Sequence, residues 1–150
     1  MSLQQQVMQE LKTAMKAKDT VALESLRAIK SALLLAKTDK GGGGEMTESE
    51  EIALVQKLVK QRKDSAAIYT EQGRDDLAAP ELAQIAVLER FLPEQLSEAE
   101  VLKEVQEAIQ SLGATSMKDM GRVMGVLSGK LGGKADGKTI ANLVRQELNK

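Results

Sequence analysis

The stretch Ser116–Ile140, SMKDMGRVMGVLSGKLGGKADGKTI, decides how the chain reads. It holds six glycines, four lysines, one arginine and no aromatic residue. Met117, Met120, Val123, Met124 and Leu127 recur at helical spacing, which predicts a helix from Ser116 to about Gly129 with methionine filling an irregular core. Glycine weakens a helix, because it loses the most backbone freedom on folding. Tight packing, a required turn or close approach of a partner must offset that loss. Gly121 and Gly125 stand four apart and share a face. They admit either a neighbouring helix or an external partner.

The segment Lys130–Lys138, KLGGKADGK, is a basic glycine-rich turn set before a further helix. It does not match a phosphate-binding loop, since G-x-x-x-x-G-K-[ST] between a strand and a helix is absent. Free backbone N–H groups at a helix start favour an anion, and Lys134 and Lys138 add charge. Asp136 is placed to cap that helix. A capped turn still presents its lysines.

Working outward, the last 38 residues carry seven cations (Lys118, Arg122, Lys130, Lys134, Lys138, Arg145, Lys150) against Asp119, Asp136 and Glu147. That is a charge of +4, which leaves −5 on residues 1–112 of a chain whose net charge is −1. Such asymmetry hints at an anionic partner for the basic end. The core must be aliphatic, because the 150 residues include one Tyr and one Phe. Leu, Met and Ala suit helices better than strands. The chain has no cysteine and no histidine, which removes thiolate chemistry, the usual general base and the commonest metal ligand. No catalytic residue, metal or cofactor is therefore expected. No apolar run approaches the roughly 18 to 20 residues of a membrane span. The opening MSLQQQVMQELK lacks a basic region followed by an apolar one, so neither a secretory leader nor a membrane partner is expected.

Upstream the pattern is helical throughout. Leu3, Val7, Leu11 and Met15 form one stripe to about Lys18. Asp19 caps a helix from Thr20 to about Lys37, with Leu23, Leu26, Ile29, Leu33 and Leu34 inward. Gly41–Gly44 predict a mobile loop. Thr47 and Glu50 have capping-box spacing before a helix to about Gln72, with Ile52, Val55, Leu58, Val59 and Ile68 along it, and Gly73 terminates it. Asp75–Ala79 reads as a turn. A helix then starts at Pro80 and carries Leu82, Ile85 and Leu88. Leu92 before a proline marks a boundary, and Ser97 with Glu100 opens the next helix. The expected organisation is all-α: a domain of about four helices over residues 1–95 and a small three-helix domain over 96–150. Arg27 and Lys30, and the run KQRKDS (Lys60–Ser65), read as solvated or ion-paired faces. Asp75 and Asp76 are adjacent in sequence, and even on a helix adjacent residues do not face each other, which argues against a metal or acid–base site.

KQRKDS, GRDDLA (Gly73–Ala78), LERFLPEQLSEAE (Leu88–Glu100) and DMGRVMGVLSGKLGGKADGKTIANLV (Asp119–Val144) resemble the YqeY family of small bacterial proteins. Residues 97–150 are also similar to the tail domain of the B subunit of the tRNA-dependent amidotransferase. The matching positions are Met120, Gly121, Val123, Met124, Gly133, Lys134, Ala135, Asp136, Asn142 and Leu143. Pro80 and the four-glycine run depart from the family pattern. The resemblance implies an all-helical cytoplasmic protein whose tail helps to hold tRNA, with the amidase and kinase chemistry carried by other domains. The expectation is a non-catalytic binder of tRNA or another structured RNA. Lys118, Arg122, Lys130, Lys134 and Lys138 would meet phosphate, and Gly121, Gly125 and Gly133 would form the contact face. The near absence of aromatics disfavours stacking on bases. The alternative is a helical adaptor for the amidotransferase or another translation protein, bound through the Met/Gly face.

Overall fold

A computed structural model describes residues 2–39 and 45–150, all of whose regular elements are helices. Gly41–Gly44 lie outside the described residues. The chain divides into two compact units, residues 1–92 and 93–150.

In the first unit α1 (Leu3–Ala17) opens with a reciprocal capping box between Ser2 and Gln5. It buries Leu3, Val7, Leu11 and Ala14. Ala14, not Met15, ends the inner stripe, because the step from Leu11 is three residues and Met15 turns outward to solvent. Lys18 closes the helix in the left-handed region at φ 55°. Asp19 Oδ1 accepts the Ala22 amide at 3.1 Å and starts α2 (Thr20–Asp39). This helix buries Ala22, Ser25, Leu26 and Ile29; beyond them Leu33 is half-buried, and Leu34, expected inward, is exposed.

Thr47 caps α3 (Glu48–Glu71), accepting the Glu50 amide at 3.2 Å. Gly73 follows the end of α3 at φ +74°. Of the apolar residues read along these helices Ile68 and Leu82 are exposed, while Ala66 and Ala78 take the buried positions where α3 meets its partner α4 (Asp75–Glu89). The small side chains let these helices approach closely.

α4 also corrects the expected turn at Asp75–Ala79. Leu77 and Ala78 already donate to the Arg74 carbonyl at 3.1 Å, so Pro80 lies inside a helix that began five residues earlier. Its ring forfeits one bond to residue i−4, the Asp76 carbonyl, near the helix start. Asp75 and Asp76 in the first turn suit the positive helix end. Arg90, Phe91 and Leu92 then each donate to the carbonyl three residues back, and Pro93 stops the chain from continuing. The core is aliphatic: Val7, Leu26, Ile29, Val55 and Leu88 are almost wholly out of solvent.

The second unit begins at Pro93, three residues before the boundary read from sequence. Gln95 Nε2 donates to the Gly133 carbonyl at 2.6 Å, and the Leu96 amide donates to Lys134 O at 2.9 Å. These bonds tie residues 93–96 to the tail. A Ser97–Glu100 capping box opens α5 (Glu98–Leu112), and Gly113 closes it at φ +65°. The expected single helix from Ser116 is instead a 3₁₀ turn, Met117–Asp119, followed by α6 (Met120–Leu131). Asp136 caps α7 (Gly137–Leu148). Val101, Val105, Val123, Leu127 and Val144 make the core. The methionines stay at its margin: Met120 and Met124 are half-buried and Met117 is exposed.

Candidate functional site

The five cations expected to meet phosphate are not equivalent. Arg122 Nη2 lies 3.2 Å from Asp119 Oδ1 and donates to the Leu112 carbonyl at 3.3 Å. Asp119 Oδ2 in turn accepts the Thr115 amide at 3.0 Å. That amide, helped by the Arg122 charge, holds the Asp119 carboxyl below its ordinary range. Arg122 therefore clamps the α5–α6 connection. Lys130 Nζ lies 2.7 Å from Glu104 Oε2 on α5. That oxygen is out of solvent and accepts no other hydrogen bond, so the lysine alone balances it. The same pairing raises the Lys130 ammonium above its usual range.

Lys118, Lys134 and Lys138 carry neither an ion pair nor a side-chain hydrogen bond among the described residues. They do not form one patch. Lys118 precedes α6 and Lys134 follows it, and a twelve-residue helix separates its ends by about 18 Å. Lys134 and Lys138 share the turn before α7, where Asp136 Oδ1 accepts the Lys138 amide at 3.1 Å.

The charge asymmetry also disappears on folding. The second unit includes α5 and the segment before it, which bring Glu94, Glu98, Glu100, Glu104 and Glu107 against Lys103 alone. Over residues 93–150 eight acids meet eight cations, and the net charge is zero. The +4 of residues 113–150 is the charge of a fragment whose folded neighbour cancels it.

The glycines divide in a complementary way. A Cβ built at Gly121, Gly125 or Gly129 would meet no other atom within 4 Å. No helix of the unit packs on these glycines, so close helix packing does not explain them. They form an exposed strip along α6 at i, i+4 and i+8, beside Met117 (40% exposed) and Val126 (45% exposed). Gly133 does not belong to this face. It is buried at φ +80°, its carbonyl accepts Gln95, and it serves the turn. Gly129 joins the strip instead. Its spacing from Gly125 carried that signal in the sequence.

In the first unit the KQRKDS cations are consumed locally. Lys60 pairs with Asp64 at 3.7 Å and Lys63 with Glu89 at 3.8 Å. Arg62 Nε donates to Gln84 Oε1 at 2.8 Å, and Gln84 passes a bond to Glu24 at 2.9 Å. Asp76 is held by Arg74 at 3.0 Å, which lowers its pKa. Arg27 and Lys30, in contrast, have no ion pair or side-chain hydrogen bond among the described residues. Among the described residues no three of His, Cys, Asp and Glu converge to hold a metal, and no helix is long and apolar enough to cross a membrane.

Comparison with known proteins corrects two expectations. The chain is 36% identical over 83 residues to altered inheritance of mitochondria protein 41, mitochondrial, of Clavispora lusitaniae, covering 55% of this chain and 47% of that protein. It is 31% identical over 118 residues to the protein of the same name from Pyrenophora tritici-repentis, covering 77% of this chain and 64% of that one. The chain thus spans about half to two thirds of the length of these curated relatives. They are fungal and carry a mitochondrial name, which overturns the bacterial and cytoplasmic assignments drawn from the resemblance. The family model described as Yqey-like protein matches residues 4–148, and the chain belongs to the YqeY family.

Proposed function

We propose that this protein is a non-catalytic helical adaptor that docks a partner protein on the outer face of α6. One observation carries the proposal: three helical glycines leave open space beside exposed Met117 and Val126, on a unit without net charge. Glycine in a helix interior costs roughly 0.5 to 1 kcal/mol relative to alanine. Three such positions with no packing reason inside the unit weaken α6 by about 2 kcal/mol in total. Close approach of another helix offsets that cost, because a glycine strip lets two backbones come nearer than any side chain would allow. Flanking methionine and valine supply apolar contact, and methionine adapts to irregular partners. The likeness of this unit to the amidotransferase tail directs the search for the partner to translation and amidotransferase proteins.

A second reading, binding of tRNA, keeps the support of Lys134 and Lys138, two unpaired cations on one turn at a helix start. Polarisation with bulk tRNA across a salt series separates the two readings. An adaptor gives weak binding that vanishes by about 150 mM salt and has no saturable endpoint. Saturable binding that persists there and is lost in Lys134→Glu/Lys138→Glu would favour RNA.

A further inference from the structure

We infer that the groove between α1 and α2 docks an acidic amphipathic helix of a partner protein. Its apolar lining comes from Val7, Met8, Leu33 and Leu34, and Lys30 and Lys37 stand on its rim. Two lining residues are large and open to solvent: Met8 is 41% exposed and Leu34 is 57% exposed. Helical spacing extends the face in both directions. Gln4, Met8 and Lys12 follow one another at i, i+4 and i+8 on α1, and Arg27, Lys30, Leu34 and Lys37 follow at i, i+3, i+7 and i+10 on α2.

Charge determines what the groove fits. Lys12, Arg27, Lys30 and Lys37 carry neither an ion pair nor a side-chain hydrogen bond among the described residues. Three of the four acids on this hairpin are committed elsewhere. Glu10 pairs with Arg90 at 3.2 Å, Asp19 caps α2, and Glu24 accepts from Gln84. Asp39 borders a different groove, between α2 and α3. Two further acids stand near the Lys37 end, Glu45 and Glu51; Glu51 accepts the Leu3 amide at 2.8 Å and so closes the start of α1. Lysine stems cover apolar surface while their ammonium groups remain in water. An apolar trough between two helices, edged by uncompensated cations, complements a helix with apolar residues on one stripe and carboxylates beside it. Along α2 this face, from Arg27 to Lys37, is about 15 Å long, nearly three helical turns. The surface lies on the first unit, so it stands or fails independently of the α6 proposal.

The probe is a fluorescein-labelled synthetic helix of about 14 residues, with leucines at i, i+4, i+7 and i+11 and glutamates beside them. A control peptide carries lysine at every glutamate. Polarisation and amide chemical shifts are read on the full chain. The acidic peptide should bind saturably and shift amides within residues 4–15 and 27–37. Lys30→Glu/Lys37→Glu should weaken it roughly tenfold and admit the basic control instead. Leu34→Glu, at an exposed position that folding tolerates, should abolish binding. The proposal is overturned by equal binding of both peptides, by shifts outside those segments, or by no binding. Binding only to phosphatidylserine vesicles, or self-association of the chain lost in Leu34→Glu, would equally overturn it. If a variant fails to fold, the shift map of the unmodified chain decides.

Discussion

Lys130 Nζ on α6 lies 2.7 Å from Glu104 Oε2 on α5, and no other hydrogen bond reaches that oxygen. The relationship turns a residue that sequence places in a basic patch into part of the scaffold. Reversing its charge would set two carboxylates against each other at a partly buried position. We expect Lys130→Glu to lower the melting temperature by roughly 3 °C or more, and Lys134→Glu, at an unpaired position, to leave it within about 1 °C. Calorimetry on the two variants checks this, and Glu104→Gln should rescue Lys130→Glu in part.

Gly121→Ala and Gly125→Ala should each stabilise the protein, by about 0.5 to 1 kcal/mol, because the added methyl meets open space and the helix gains propensity. Gly113→Ala should do the opposite by roughly 1 kcal/mol, since its φ of +65° strains any L side chain. Urea titration reads both signs. A loss of stability in the α6 variants would mean that the glycines serve the fold.

Acid should destabilise the second unit through specific groups. Asp119 and Glu100 have lowered pKa values, chiefly through the backbone amides of Thr115 and Ser97. Their contribution is present above the ordinary carboxylate range and is lost as pH falls through the lowered values, below about 4. Lys130 runs the other way: its raised pKa adds stability that is lost only as pH climbs beyond the ordinary lysine value of 10.5. With no histidine in the chain, the side chains give a flat profile between about pH 6 and 8. Asp119→Asn and Glu100→Gln should each flatten the acid limb, as followed by urea midpoints from pH 6 down to 3.

Much of the fold is legible in the sequence because capping is local. Asp19, Ser97 with Glu100, and Asp136 act where their spacing places them. Pro80 misleads because the first turn of α4 is fixed by the Arg74 carbonyl and by acids at the positive helix end, not by the proline. Met15 and Leu34 mislead because a stripe gives a helix direction but not the point where its neighbour ends. The site is less legible. Counting charge along residues 113–150 leaves out α5, whose acids lie far back in sequence and cancel it. The partners of Lys130 and Arg122 depend on how helices pack, which periodicity does not encode.

The central claim, a protein partner on the glycine face of α6, is tested most directly by site-specific photocrosslinking in the cells that make the protein. p-Benzoylphenylalanine is introduced at Val126, which is 45% exposed beside the strip, with a control at the exposed Lys103 on α5. We expect one discrete polypeptide adduct at Val126, resistant to ribonuclease and absent from the control. A ribonuclease-sensitive adduct, or the same products from both positions, would contradict it.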